Sequence, residues 1–278
     1  MPGGVRLHDR IVTGIATGWI VAGCATGGSE SRLLPSLGPG SQDELAALWA
    51  PSHNLASPSD GIVRVVGPQT ACTGALVAND LVLTAHHCVV RRGSRGEYLP
   101  TLVEPRAVEI QLGSDYLPWG HVEPRAIVAP ACGYAGGPGD VAVLILNRKL
   151  EPIEPLSLSL QPPVAGEDIA PIGFGRCALS PEGIRRRERQ GGPIGLITAG
   201  AFEADASLCP GDSGAPAIDS ATRQVVGVVS LSAMDYDEDT RGRSVFARVD
   251  DLASLLARAR LTVDGTVTLD QAPVMCPQ

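Results

Sequence analysis

Positive charge is in short supply in this chain. Its 22 basic residues face 30 acidic ones, giving a net charge of −8, and all but Lys149 of the basic residues are arginines. A nucleic-acid partner held by counterion release needs a basic face, so that class of function is excluded and the charge reports mainly on solubility. Aromatic residues are also scarce, at 4%, beside 33 glycines and 23 prolines, a balance that suits a loop-rich β protein better than a helical bundle. The seven cysteines include no CxxC pair, which removes the usual zinc and thioredoxin-like readings and favours an oxidising compartment. The five histidines are scattered, so no metal site and no cofactor are expected. What remains is a chain of 278 residues with 44% hydrophobic content, enough to bury a sizeable core in one or two domains.

The N-terminal stretch carries Arg6 and Arg10 and then the apolar run Ile11 to Gly23, the layout of an export signal and too short for a stable membrane span. It ends in Val21-Ala22-Gly23-Cys24, which resembles the lipobox of bacterial lipoprotein signals. That resemblance implies cleavage before Cys24, a lipid on Cys24 and anchoring at the cell envelope. The competing reading is an ordinary signal cut among nearby small residues, with Cys24 a bystander and the protein extracellular. Residues 24–59 are rich in Gly, Ser and Pro, with helical character only from Glu44 to Trp49, and read as a tether.

From Gly61 the pattern changes to short β-branched and aliphatic runs divided by Gly, Pro and Asp. They are Ile62 to Val66, Ala75 to Val77, Leu81 to Thr84, Val108 to Leu112, Ala126 to Val128, Val141 to Leu146 and Val225 to Ser230. Regular short strands predict an all-β sandwich or barrel. Val249 to Arg260, with Leu252, Leu255, Leu256 and Leu261, reads as the one amphipathic helix and closes the domain.

Chemistry concentrates in a few segments of this frame. Cys209-Pro210-Gly211-Asp212-Ser213-Gly214-Ala215-Pro216 is a loop leading into an apolar strand, and it resembles the nucleophile loop of the chymotrypsin and trypsin family, with Ala215 where a second glycine is usual. A serine hydroxyl is a poor nucleophile until a base takes its proton, and flanking glycines let backbone amides converge on a carbonyl oxygen under attack. Cys72 to Val77 and Leu81 through Thr84-Ala85-His86-His87-Cys88 resemble the histidine loop of the same family with its bracketing cysteines. Of the two histidines, the one adjoining the second cysteine matches the base, which selects His87 and leaves His86 facing solvent or packed at the rim. Gly139-Asp140-Val141-Ala142-Val143-Leu144 matches the family's aspartate opening an apolar strand. The order His, Asp, Ser is that of chymotrypsin rather than of subtilisins or α/β-hydrolases.

The resemblance covers residues 60–260. It implies two six-stranded antiparallel β-barrels with a C-terminal helix, followed by a tail over residues 261–278. It also implies a monomeric secreted serine endopeptidase acting on protein or peptide substrates, with His87, Asp140 and Ser213 as the catalytic triad and the amides of Gly211 and Ser213 as the oxyanion hole. Ser207 would lie at the base of the substrate pocket, with Ser230, Ser232 and Ser244 lining it. With no acid at Ser207, small or medium uncharged side chains are expected there, although Asp235, Asp237, Glu238 and Asp239 form an acidic loop nearby. The resemblance pairs Cys72 with Cys88. Cys177 with Cys209 and Cys132 with Cys276 follow as the remaining bridges, and a lipid on Cys24 accounts for the odd count.

The chain departs from the family at one point. Family zymogens are activated by a cut before an Ile-Val-Gly-Gly-like sequence, whose new amino group pairs with the aspartate preceding the serine, here Asp212. No such sequence lies at the expected distance before Cys72, and Ile11-Val12-Thr13-Gly14 falls inside the export signal. Either Asp212 finds another partner or the first barrel begins with an unfamiliar cut within residues 45–62. The run Arg185-Arg186-Arg187-Glu188-Arg189 reads as a solvated charge run or, alternatively, as a processing site. A catalytically silent binding protein on the same fold, or an ester hydrolase using the same triad, are the rival functions.

Overall fold

The computed structural model describes residues 57–114, 118–177, 184–232, 241–265 and 276. The expected export signal, Cys24, the expected tether up to residue 56 and the acidic loop from Asp235 to Asp239 lie outside the described residues. Among the described residues the domain consists of sixteen strands, β1 (Ile62–Val66), β2 (Ala71–Ala78), β3 (Leu81–Thr84), β4 (Val90–Arg92), β5 (Tyr98–Leu102), β6 (Glu109–Leu112), β7 (Gly120–Val122), β8 (Pro124–Val128), β9 (Ala142–Leu146), β10 (Ile169–Gly173), β11 (Arg187–Glu188), β12 (Ile194–Thr198), β13 (Ala201–Ala206), β14 (Pro216–Asp219), β15 (Val225–Ser232) and β16 (Gly242–Arg248), and one α-helix, α1 (Ala253–Val263). The first sheet has the order β7-β6-β1-β2-β3-β9-β8 and the second β11-β10-β14-β15-β16-β13-β12, with every strand pair antiparallel. A separate hairpin, β4 (Val90–Arg92) with β5 (Tyr98–Leu102), stands beside the first sheet. The expected all-β architecture of two curled sheets with a C-terminal helix is present. Each sheet has seven strands rather than six, because the short strands β7 (Gly120–Val122) and β11 (Arg187–Glu188) extend the edges.

The first sheet is built from the most apolar runs of the chain. In β3 (Leu81–Thr84) and β9 (Ala142–Leu146) every residue is buried, so these strands are covered on both faces and show no alternation. The helix α1 (Ala253–Val263) packs on β8 (Pro124–Val128) and β9 through Leu255 and Ala259, and Arg260 reaches Asp80 at 2.9 Å. It begins later than its apolar pattern suggests, because Val249 and Leu252 are consumed by the turn that leads into it, and Leu261 is exposed while Arg258 and Thr262 are buried. The second sheet closes on Phe202 and Phe246, stacked with centroids 5.1 Å apart on the paired strands β13 (Ala201–Ala206) and β16 (Gly242–Arg248).

Thr73, on β2 (Ala71–Ala78), stitches the two sheets together. Its amide donates to Ser213 O at 2.8 Å, its hydroxyl donates to Gly211 O at 2.8 Å, and the Phe174 amide donates to that hydroxyl at 2.9 Å. Two of these bonds fix the nucleophile loop of the second sheet against a strand of the first, and the third ties Phe174 to the same fully buried residue.

Candidate active site

Strand register brings the histidine and the aspartate together. Thr84 at the end of β3 pairs with Ala142 at the start of β9, so the turn after one strand and the turn before the other leave the sheet side by side. His86–Cys88 forms a single 3-10 turn, and Asp140 ends a turn in which its own amide donates to Gly137 O at 3.1 Å. Asp140 is fully buried. Its Oδ2 accepts from His87 Nδ1 at 2.7 Å and from the Ser230 hydroxyl at 2.5 Å, while Oδ1 accepts from the His87 amide at 2.9 Å. A carboxylate surrounded by donors can only accept, so Nδ1 of His87 carries the proton and Nε2 is left as an acceptor. The Tyr98 ring packs edge-on against His87 with centroids 5.5 Å apart, and the Arg92 guanidinium covers Tyr98 at 3.9 Å, so the β4–β5 hairpin walls one side of the imidazole.

The serine arrives from the second sheet. Pro216 at the start of β14 (Pro216–Asp219) pairs with Val228 on β15 (Val225–Ser232), and ahead of it the Gly214 amide donates to Val229 O at 2.8 Å. Val229 precedes Ser230, whose hydroxyl touches Asp140. Ser213 is therefore one residue from a hydrogen bond to the strand that supports the aspartate, and it is partly exposed. The loop is shaped by Asp212 N donating to Cys209 O at 3.0 Å and Ala215 N donating to Asp212 O at 2.8 Å, with Gly211 and Gly214 at φ of 105° and 81°. Those angles are in the region only glycine enters freely. Among the described residues neither the Gly211 nor the Ser213 amide donates to a protein acceptor.

Asp212 is wholly buried. Its Oδ2 lies 2.9 Å from Arg189 Nε and accepts from the Cys209 amide at 3.0 Å, and its Oδ1 accepts from the Gly175 amide at 2.7 Å. Burial drives its pKa up, while the Arg189 charge and the two amides pull the other way.

The family model described as Trypsin matches residues 55–256, most of the chain. The chain belongs to the trypsin family. Among solved structures, neuropsin, a serine protease expressed in the limbic system of mouse brain, superposes with a TM-score of 0.54 at 17% identity, covering 73% of this chain and 95% of that one. At that identity the likeness shows the fold. No curated protein matches the chain in a sequence search.

Several residues of this trypsin-family domain sit where the sequence did not put them. Ser230, expected to line the pocket, turns its hydroxyl to Asp140, is buried there and also accepts the Gly137 amide at 2.8 Å. The cause is a bulge in the β15–β16 ladder, where Val229 pairs with Phe246 and Leu231 with Val245, leaving Ser230 as the extra residue turned out of the sheet. Ser232 and Ser244 do pair across the strands, with hydroxyls 3.0 Å apart, and Ser207 follows β13 beside Gly242 of the same strand as Ser244. The Ser207 hydroxyl is buried and has no partner among the described residues. His86 does not face solvent. It is buried, and Nδ1 donates to Cys132 O at 2.8 Å. Burial pushes its pKa down. The cysteines pair as Cys72–Cys88, Cys132–Cys276 and Cys177–Cys209. Among the described residues, the group that could hold a metal by proximity is Cys72, His87 and Cys88, whose sulfurs are occupied by their own bridge.

The residue that sequence reasoning missed is Arg189. It stands in a run that reads as solvated charge, yet it is buried, and Arg186 of the same run pairs with Asp60 at 3.0 Å. The signal available in the sequence was the missing activation sequence, which left Asp212 in need of a cation from within the chain.

Proposed function

We propose that the protein is an exported endopeptidase that cleaves peptide bonds through a Ser213 acyl-enzyme. His87 takes the Ser213 proton at Nε2 as the oxygen attacks, Asp140 holds the tautomer and balances the imidazolium, and the Gly211 and Ser213 amides receive the developing oxyanion. The protonated His87 then delivers its proton to the leaving amine, and water, activated the same way, releases the acyl group. The observation that carries this reading is the fully buried Asp140 holding the His87 ring at 2.7 Å and, through Ser230, the strand bonded to the nucleophile loop.

An extended peptide has a place to lie. The pairing of β15 with β14 ends at Val228, and beyond Val229 that side of residues 230–232 has no strand neighbour among the described residues. A substrate strand adding there runs past Ser213 and leads its side chain toward Ser207, Ser232 and Ser244. That open edge favours a peptidase over an ester hydrolase. Hydroxyls at all three positions and no buried charge suit a small or medium uncharged side chain before the scissile bond. The disulfides suit an oxidising, exported setting, and a lipid on Cys24 would tether the domain to a membrane.

Labelling with a fluorophosphonate probe tests the reading. The intact protein is expected to label, and Ser213→Ala and His87→Ala to lose labelling while remaining folded by circular dichroism. A folded, disulfide-complete protein that does not label under any condition is a silent scaffold, and the reading fails.

A further inference from the structure

The carboxyl of Asp212 is a structural liability as well as a support. A buried charge without a partner costs several kcal/mol, and the loop that carries it also carries Ser213 and both candidate oxyanion amides. Gly173 and Gly175 press directly on that carboxyl, and a β-carbon at either would collide with it. The site is therefore tight, and what fills it decides the shape of the loop.

Arg189 fills it. Its guanidinium spans both carboxyl oxygens, with Nε 2.9 Å from Oδ2 and Nη2 3.4 Å from Oδ1, and Nη2 also donates to Gly175 O. The Arg189 side chain is 3% exposed, so the space beside Asp212 has no room for a second cation. The strap that delivers it is pinned along its length. The Arg186 amide donates to Ser114 O at 2.7 Å, Arg187 and Glu188 pair with Gly173 and Ile172 as β11 on β10 (Ile169–Gly173), and the Arg189 amide donates to Pro171 O at 2.7 Å. Gln190 O then accepts the Ser207 amide at 2.9 Å, which ties the same strap to the base of the candidate pocket.

We propose that Arg189 is the positioning residue that sets the nucleophile loop in its working shape, supplying from inside the chain the cation that a freed amino terminus supplies in family zymogens. The inference rests on the endopeptidase reading of the site. It makes the enzyme competent as folded, with no cut before the first barrel. It also reverses the sense of the arginine run: a cut between Arg185 and Arg189 detaches the strap from Arg186 and Asp60 and weakens the loop instead of activating it.

The test uses the protein with everything beyond any export signal retained, its mass measured to show whether the chain is cut within residues 45–62, and reads the rate of fluorophosphonate labelling at Ser213. The uncut chain is expected to label. Arg189→Gln is expected to label on the order of 100-fold more slowly, comparable to losing one oxyanion donor, with its circular dichroism unchanged. Arg189→Lys, which keeps the charge without the fork, is expected to recover part of the rate. Should Arg189→Gln fail to fold, Arg189→Gln combined with Asp212→Asn removes the stranded charge and carries the same comparison. A parent that labels only after a cut within residues 45–62 overturns the inference and leaves the endopeptidase reading standing, as does a folded Arg189→Gln within about threefold of the parent. A parent that labels neither before nor after such a cut overturns both.

Discussion

Replacing Asp140 by asparagine is the sharpest single perturbation of the site, because the geometry leaves the amide no good orientation. Asp140 accepts from three donors: His87 Nδ1, the Ser230 hydroxyl and the His87 amide. Asparagine offers one oxygen and one NH2 group. With its oxygen toward the imidazole, the NH2 group faces the His87 backbone N–H, and two donors meet in a fully buried site. Flipped, the NH2 group faces His87 Nδ1 and selects the tautomer with the proton on Nε2, which cannot take a proton from Ser213. The second arrangement satisfies more groups, so Asp140→Asn is expected to fold and to be trapped in the wrong tautomer. The corresponding loss in a serine–histidine–aspartate site is about 10^4-fold in turnover, or about 5.4 kcal/mol at about 1.36 kcal/mol per decade. Stopped-flow acylation by an activated ester reads it directly, with thermal melting run in parallel. An Asp140→Asn variant that acylates within tenfold of the parent would refute the role given to Asp140.

Two further outcomes follow from the surroundings. Gly214→Ala places a β-carbon against Thr73 O and the Thr84 hydroxyl at a φ of 81°, so the variant is expected to lose a few kcal/mol in urea denaturation and most of its labelling; an unchanged midpoint would mean the loop tolerates displacement. His86 is held below its ordinary value of 6.5 by burial, so the unfolded chain binds the proton first; stability contributed by neutral His86 is present above pH 6.5 and is lost as pH falls below it. His86→Asn, whose amide can replace the donor to Cys132 O, is expected to flatten the dependence of melting temperature on pH between about 7 and 5, and an unchanged slope would assign that dependence to other groups.

The sequence was most informative where chemistry and pattern coincide. The segment from Leu81 to Cys88 shows both a fully buried strand and the turn that ends in His87, because a run with no polar alternation has one physical reading and the cysteines mark the turn. Strands with weak propensity were harder. The β13 sequence AFEADA interleaves buried alanines with two acids, and β12 (Ile194–Thr198) is a largely exposed edge, so the position of β13 rests on pairing with β16 and that of β12 on pairing with β13 rather than on their own composition. The hairpin of β4 and β5, which brings Arg92 and Tyr98 to His87, is local in sequence, yet its short strands VRR and YLPTL lack the alternating apolar pattern that marks a strand. Ser230 and Arg189 escaped for another reason: a bulge and a buried ion pair are decided by the partner strand and by a carboxyl elsewhere in the chain, and neither leaves a local trace.

The spare residue in β15 acts as a joint. On one side of it the strand carries Val228 and Val229 into the core, at the bend Ser230 reaches across to the aspartate of the other sheet, and on the far side Ser232 meets Ser244. On the proposed reading, chemistry and selectivity are borne by neighbouring residues of one strand yet point to different faces. Exchanging Ser232 and Ser244 for other side chains can redraw which substrates fit while the aspartate keeps its support, whereas deleting a single residue here would iron out the pleat and shift both at once.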